Sequence, residues 1–137
     1  MKRGRNKGIS QAIALAAVSG LILSLGWGFA QAGRSEEARV AVSKADVELN
    51  IATALKLYEL DNGAYPTTEE GLAALQSAVP SAKNWKGPYL EKEPVDPWGN
   101  NYTYRSPGTH KKDYDLYSLG KDGIESADDV TNWSAAK

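Results

Sequence analysis

The 137-residue sequence contains no cysteine and only one histidine. Without cysteine, the chain can form neither a disulfide framework nor a thiolate metal site. His110 follows a turn and is flanked by Lys111 and Lys112, so the sequence gives it no partner for general-base or Ser-His-Asp chemistry. We therefore expect a protein that is not an enzyme, with His110 on a surface loop.

Charge is distributed unevenly along the chain, although the net formal charge is only −1. Four of the 16 basic residues precede residue 8, and no charged residue lies between Lys7 and Arg34. From Gly33 onward, the remaining twelve basic residues face 17 acidic ones, which gives that part a net charge of −5. A mildly acidic globular part argues against a nucleic-acid-binding surface.

The charge pattern divides the chain into a basic leader (1–8), an apolar segment (9–32) and a globular domain (33–137). The first two parts have two interpretations. They fit a cleaved signal peptide, with Ala30-Gln31-Ala32 as the cleavage site. They also fit a membrane-spanning helix, because about 20 apolar residues cross the hydrocarbon core. Either interpretation places residues 1–7 in the cytoplasm and the rest outside it.

A helical pattern follows from Ser35, a predicted N-cap that precedes two glutamates. Apolar residues then recur at spacings of three and four, as expected for an amphipathic helix: Val40, Val47, Ile51, Ala54, Leu55 and Tyr58. Asp61-Asn62-Gly63 predicts the end of the helix. If the chain is not cut after Ala32, one long helix could run from about Ile9 to Leu60.

The remainder predicts a short helix over 68–76 and two alternating strands over 101–105 and 113–119. A third strand is expected near Tyr89-Leu90 or near the C-terminus. Together these elements predict an α+β fold. Trp85, Trp98 and Trp133 are expected to anchor loops; a carbohydrate-binding platform is the alternative.

An acidic loop over 119–130 is the one chemically suggestive constellation. Calcium takes six to eight oxygen ligands from carboxylates, hydroxyls and carbonyls. Candidate ligands are the side chains of Asp122, Ser126, Asp128 and Asp129 and the carbonyls of Leu119 and Val130. The loop is not an EF-hand, because Ile124 stands where an oxygen ligand is required. A solvated acidic loop without a metal is the alternative.

Several short motifs in order resemble one family. They are Leu-Asp-Asn-Gly (60–63), Tyr-Pro-Thr-Thr (65–68), Gly-Pro-Tyr-Leu (87–90), Asp-Pro-Trp-Gly (96–99), Ser-Leu-Gly-x-Asp-Gly (118–123) and Asp-Val-x-Asn-Trp (129–133). The chain resembles the type G pseudopilins, the major pseudopilins of bacterial type II secretion systems, from about Ala54 to Trp133. The resemblance implies a pilin-like fold, in which a long N-terminal helix packs on a small antiparallel sheet with a loop-rich C-terminal region.

The resemblance also implies a function, which is that of a structural subunit of a pseudopilus that supports protein export. Such a subunit has a single-pass anchor in the inner membrane and a periplasmic head. It assembles with other pseudopilin subunits and with the inner-membrane secretion machinery. The alternative is a soluble periplasmic or secreted binding module, stabilised by calcium, with a pseudopilin-like head freed by signal-peptide cleavage.

Site residues follow from the resemblance as well. Type G pseudopilins bind Ca²⁺ in the matching loop, and Asp122 and Asp129 match the ligand positions best. Here the loop is shorter than usual and lacks the family's Gly-Gly. Gly8 matches the residue that prepilin peptidase cuts after, which makes Ile9 the first residue of the mature chain and the site of N-methylation. Ile13 stands where the family has a glutamate, so we expect subunit addition to be weaker or altered.

Processing after Gly8 gives the first testable prediction. Because Lys7-Gly8-Ile9 joins a basic leader to an apolar run, the mature chain is expected to begin at Ile9, with a methylated amine. Mass spectrometry of the chain purified from bacterial membranes measures this directly. A mature chain that begins at Gly33 would end the idea of a retained helix.

Overall fold

The computed structural model describes residue 33, residues 35–111 and residues 113–133. The chain divides into two compact units between Glu37 and Ala38. In the first unit, Gly33 and residues 35–37 are helical. The helix start predicted at Ser35 is therefore wrong, because Gly33 already has helical geometry. The predicted leader and apolar segment, residues 1–32, lie outside the described residues, and no helix within the described part has the length and apolarity to cross a membrane.

The second unit begins with the head helix, residues 38–62. Residues 38–45 are α-helical, Asp46–Asn50 form a π-helical turn, and Ile51–Asn62 are again α-helical. In the π turn, the Ile51 N–H donates to the carbonyl of Asp46, one residue farther back than in an α-helix. Gly63 ends the helix in the left-handed region, at φ 84°, and its N–H donates to the Glu59 carbonyl at 2.7 Å. This confirms the predicted stop, since glycine adopts a positive φ without steric cost.

One face of the head helix is buried. Its buried residues are Ser43, Val47, Ile51, Ala54, Leu55 and Tyr58. This confirms the predicted apolar stripe, with one exception. Val40 was expected on the stripe but is 41% exposed. The buried face begins at Ser43. The stripe predicted from the spacing of apolar residues is therefore one turn longer than the face that the rest of the head covers.

The sheet has three antiparallel strands in the order β1-β2-β3. They are β1 Thr103–Arg105, β2 Asp115–Ser118 and β3 Val130–Thr131. Tyr104 pairs with Leu116 and Ser118 pairs with Val130. The predicted β1–β2 pair is thus confirmed, and the third strand comes from the C-terminal region. Tyr89 and Leu90 instead both donate their N–H groups to the carbonyl of Leu75, at 2.7 and 3.1 Å.

The short helix predicted over 68–76 is a 3₁₀ helix, Gly71–Leu75. A reciprocal pair of hydrogen bonds precedes it. The Thr67 N–H donates to Glu70 Oε2 at 2.9 Å, and the Glu70 N–H donates to Thr67 Oγ1 at 3.2 Å. This is the pattern of a capping box. The 3₁₀ helix contacts both the head helix and β1.

A single apolar core joins the head helix, the 3₁₀ helix and the sheet. Its fully enclosed side chains include Val47, Leu55, Leu75 and Leu116, all at 0% exposure. Burying one such side chain contributes roughly 1.5–3 kcal/mol. The π turn of the head helix contacts β2, so the core spans from the helix to the middle strand.

Asp115, the first residue of β2, is a buried carboxylate with 3% of its side chain exposed. It accepts hydrogen bonds from the N–H groups of Thr109, His110 and Lys111 and from the Thr109 hydroxyl, at 2.8–3.1 Å. Burial by itself raises the pKa of Asp115. The donors from Lys111, His110 and Thr109 outweigh burial and hold the pKa well below its usual value.

Replacing Asp115 by asparagine tests this network. A depressed pKa means that ionised Asp115 stabilises the fold above about pH 4, the usual pKa of aspartate, and that this stability is lost as pH falls below that value. Asp115→Asn is therefore expected to lower the free energy of unfolding at pH 7 by about 2 kcal/mol. It should also reduce the stability lost between pH 7 and pH 3. Denaturant titrations at the two pH values measure both effects.

The matched control is Asp113→Asn. Asp113 is exposed and lies two residues earlier, so its substitution should leave both quantities close to those of the parent chain. An unchanged acid sensitivity in Asp115→Asn would show that the carboxylate does not carry the pH dependence.

Candidate functional site: an acidic loop closed by two strands

The acidic loop connects β2 to β3, and the pairing of these strands holds its two ends together. Ser118 pairs with Val130, and Leu119 is the next residue after Ser118. Leu119 is half-buried and Val130 is 8% exposed, whereas residues 121–128 are exposed. The two predicted carbonyl ligands therefore come from the fixed ends of the loop, and most of the predicted side-chain ligands come from its exposed part.

Ser126 connects the three predicted carboxylate ligands. Its hydroxyl donates to Asp128 Oδ1 and lies 3.5 Å from Asp122 Oδ2. Its N–H donates to Asp129 Oδ1 at 3.2 Å. The loop thus brings together the four side chains that the sequence singled out. Asp122 also accepts the Ile124 N–H at 3.1 Å, which turns the chain back after Asp122.

The carboxylates of the loop repel one another. Partial burial raises the pKa of Asp129, and the charges of Asp128, Asp122 and Glu125 raise it further, against the opposing effect of the Ser126 N–H. A raised pKa means that the ionised form of Asp129 is disfavoured in the fold. A bound cation would relieve this repulsion.

The predicted ligand atoms of the loop are all oxygens. Oxygen ligands suit a hard cation such as Ca²⁺ and do not suit a metal that prefers thiolate or imidazole ligands. Within the described part of the chain, no three His, Cys, Asp or Glu side chains lie close enough to hold a metal ion. The cluster around Ser126 instead mixes carboxylates with a hydroxyl. Calcium accepts such mixed sets when backbone carbonyls supply further ligands. The oxygen types present in the loop are therefore those that Ca²⁺ takes as ligands.

Residues outside the loop support its first turn, and they were not among the predicted site residues. Asp96 is 4% exposed, and its Oδ1 accepts the N–H groups of Trp98 and Asn100 at 3.0 and 2.8 Å. Its Oδ2 accepts the Ser118 hydroxyl at 2.6 Å. The first two contacts could have been found from Asp-Pro-Trp-Gly, because aspartate at the start of a turn bonds the backbone that follows it. The contact with Ser118 bridges 22 residues and leaves no local signal.

His110 is exposed, as predicted, but the expectation that it has no partner is wrong. Its Nδ1 lies 3.0 Å from Asp115 Oδ2, and its ring stacks on Trp133 with the centroids 4.1 Å apart. The same nitrogen also lies 3.2 Å from the Thr109 hydroxyl. These contacts tie the chain after β3 to the turn before β2. Trp85 anchors its loop as predicted, because its indole N–H donates to the Ala74 carbonyl at 2.9 Å.

Comparison with known proteins gives a consistent result. Residues 31–133 match the family described as type II secretion system protein G. The core protein G of this system from Pseudomonas aeruginosa is 51% identical over 108 residues, covering 73% of this chain and 75% of the relative. The Escherichia coli K12 protein of the same name is 42% identical over 110 residues, covering 77% and 74%.

A solved structure agrees with these relatives. It is the crystal structure of the major pseudopilin from the type 2 secretion system of enterohaemorrhagic Escherichia coli. The TM-score is 0.65 at 38% sequence identity, over 74% of this chain and 91% of that chain. The fold is therefore the pilin-like α+β fold that the motifs predicted. The family model matches most of the length of this chain, and this chain therefore belongs to the type II secretion system protein G family.

Proposed function

We propose that this chain is a structural subunit of a type II secretion pseudopilus and that it supports the export of proteins. The observation that carries the proposal is the family match over residues 31–133, joined to the likeness of the fold to a major pseudopilin. The relatives are named as a core protein of the secretion system and as its major pseudopilin, which agrees with a role that is not enzymatic. The alternative of a freely soluble binding module is not favoured.

Assembly with other subunits is supported by the surface of the head helix. Its exposed large apolar side chains are Val40, Val42, Leu49, Leu57 and Leu60, with exposures from 41% to 67%. Val42, Leu49 and Leu60 are spaced to lie near one side of the helix, so another subunit could cover them together. Other pseudopilin subunits are the partners that family membership suggests.

The inner membrane is the proposed location, with the head in the periplasm. The basic leader, residues 1–8, and the apolar segment, residues 9–32, support this orientation by their charge. In this proposal Gly8 is the last residue of the leader and Ile9 the first of the mature chain. Residues 9–32 then anchor the subunit until it enters the filament.

Calcium binding in the acidic loop is the other part of the proposal. Asp122, Ser126, Asp128 and Asp129 would hold the ion with the carbonyls of Leu119 and Val130. The ion would supply positive charge where the carboxylates repel one another. By binding only the folded loop, it would stabilise the head through mass action.

Complementation tests the structural role. In a bacterium whose type II secretion system lacks its own protein G, the full chain is expected to restore secretion and to form filaments detectable by electron microscopy. Ile13→Glu restores the family's acidic residue and is expected to raise filament yield, because a carboxylate can pair with a neighbouring subunit's terminal amine in the apolar core. Absence of both secretion and filaments, for parent and variant alike, would refute the proposal.

Thermal unfolding tests the calcium site. The full chain, melted first in excess chelator and then in millimolar Ca²⁺, should gain roughly 10 °C or more in Tm. A ligand at 100 times its Kd adds about 2.7 kcal/mol, and about 1 kcal/mol shifts the Tm of a domain of this size by roughly 4–8 °C. Asp122→Ala and Asp129→Ala should abolish the gain.

Glu125→Ala is the matched control, since it removes a carboxylate of the same loop that is not a proposed ligand. It should retain most of the gain, and it should also separate specific coordination from a general response to negative charge. Identical curves of the parent chain in chelator and in calcium would mean that the loop is solvated and binds no ion.

A further inference from the structure

The start of the acidic loop is held from outside by residues that are not proposed ligands. Gly120 is buried, at φ 67°, and both of its backbone polar groups have partners. Its N–H donates to the Ser118 hydroxyl oxygen at 3.0 Å, and its carbonyl accepts from Asn100 Nδ2 at 3.0 Å. The two hydrogen bonds therefore restrict the backbone conformation of Gly120, the residue at which the loop leaves the sheet.

These two hydrogen bonds fix two successive peptide planes. The Gly120 N–H lies in the same planar unit as the Leu119 carbonyl and points the opposite way. Binding that N–H to Ser118 consequently sets the direction of the Leu119 carbonyl, which is a proposed ligand. Binding the Gly120 carbonyl to Asn100 sets the next plane, one residue before Asp122.

Asn100 also lies near a second point of the loop. A Cβ placed on Gly123 would lie 3.9 and 4.0 Å from the two terminal atoms of the Asn100 amide. The amide thus lies beside both Gly120 and Gly123, the glycines on either side of Asp122. Asn100 is itself held in place, because its N–H donates to the buried carboxylate of Asp96 at 2.8 Å.

We propose that Asn100 and Ser118, both held by Asp96, are positioning residues for the cation-binding loop. They keep the Leu119 carbonyl and the Asp122 carboxylate in the arrangement that receives the ion, so that the ion need not order this turn itself. The inference rests on the proposed binding of calcium. The residues it names lie in the Asp-Pro-Trp-Gly-Asn turn and at the end of β2. None of them is a proposed ligand of the ion.

The physical consequence concerns affinity more than stability. Residues that orient metal ligands through hydrogen bonds commonly change metal affinity by 10- to 100-fold when they are replaced. Without the Asn100 amide, the exposed part of the loop must become ordered at the moment of binding, which weakens binding. The core and the sheet register do not depend on the Asn100 side chain, because β2 and β3 pair through their backbones.

The experiment is calorimetric titration of CaCl₂ into the full chain, purified in mild detergent and freed of metal with chelator. Asn100→Ala is expected to raise the Kd for Ca²⁺ about tenfold. Its Tm in chelator should change by no more than a few degrees. Asn101→Ala is the matched control, because Asn101 is the adjacent residue of the same type and is exposed, and its Kd should equal that of the parent.

Asn100→Asp separates positioning from charge. The substitution keeps the shape of the side chain but places an acceptor against the Gly120 carbonyl and adds a negative charge near the loop. Positioning predicts weaker calcium binding, whereas simple attraction by charge predicts tighter binding. Ser118→Ala gives an independent test, since it frees the Gly120 N–H and should weaken binding in the same way.

Three results would overturn the inference. An Asn100→Ala protein with the parent's Kd but a lower Tm in chelator makes Asn100 only a stabilising residue of the turn. Tighter binding by Asn100→Asp makes charge, and not orientation, the determinant. A parent chain that binds no calcium refutes the proposed site itself and with it this inference, so the two failures are distinguishable.

Discussion

The sheet depends on the buried face of the head helix. Its strands have only three, four and two residues, and so small a sheet has little stability by itself. Leu116 at the centre of β2 lies in the same enclosed core as Val47 and Leu55 of the helix. The loop between β2 and β3 therefore leaves from a strand that this core holds in place.

Tyrosine hydroxyls reinforce the contact at the edges of the core. Tyr102 donates to Asp46 Oδ2 at 2.9 Å, in the π turn, and Tyr104 donates to the Pro66 carbonyl at 2.8 Å. Burial raises the pKa of both hydroxyl groups far above the usual value, so they remain neutral donors. A chain with seven tyrosines and one phenylalanine can thus bury aromatic rings and still satisfy polar groups at the same positions.

Local signals in the sequence predicted local structure well. The helix stop at Gly63 and the pairing of β1 with β2 both depend on residues close together in the chain. Val40 was misplaced because periodicity does not show where the covering surface ends.

The support of the acidic loop was missed for another physical reason. Asp96 and Ser118 are 22 residues apart, and Asn100 and Gly120 are 20 apart. Such contacts follow from the fold and leave no pattern in neighbouring residues. The carboxylates of the loop are close together in the sequence, whereas the residues that hydrogen-bond Ser118 and Gly120 from outside the loop belong to a distant segment of the chain.

The last described residues complete the head. The Asn132 N–H donates to the Leu116 carbonyl, and the Asn132 side-chain Oδ1 accepts the Leu116 N–H. Trp133 stacks on His110. The head helix, by contrast, is synthesised first. Since a chain leaves the ribosome N-terminus first, about 70 further residues must be synthesised after the helix before the sheet is complete. During that interval the apolar face of the helix can pack against the 3₁₀ helix but lacks the sheet, so the newly made subunit stays open to proteolysis and to wrong association until its last strand is made.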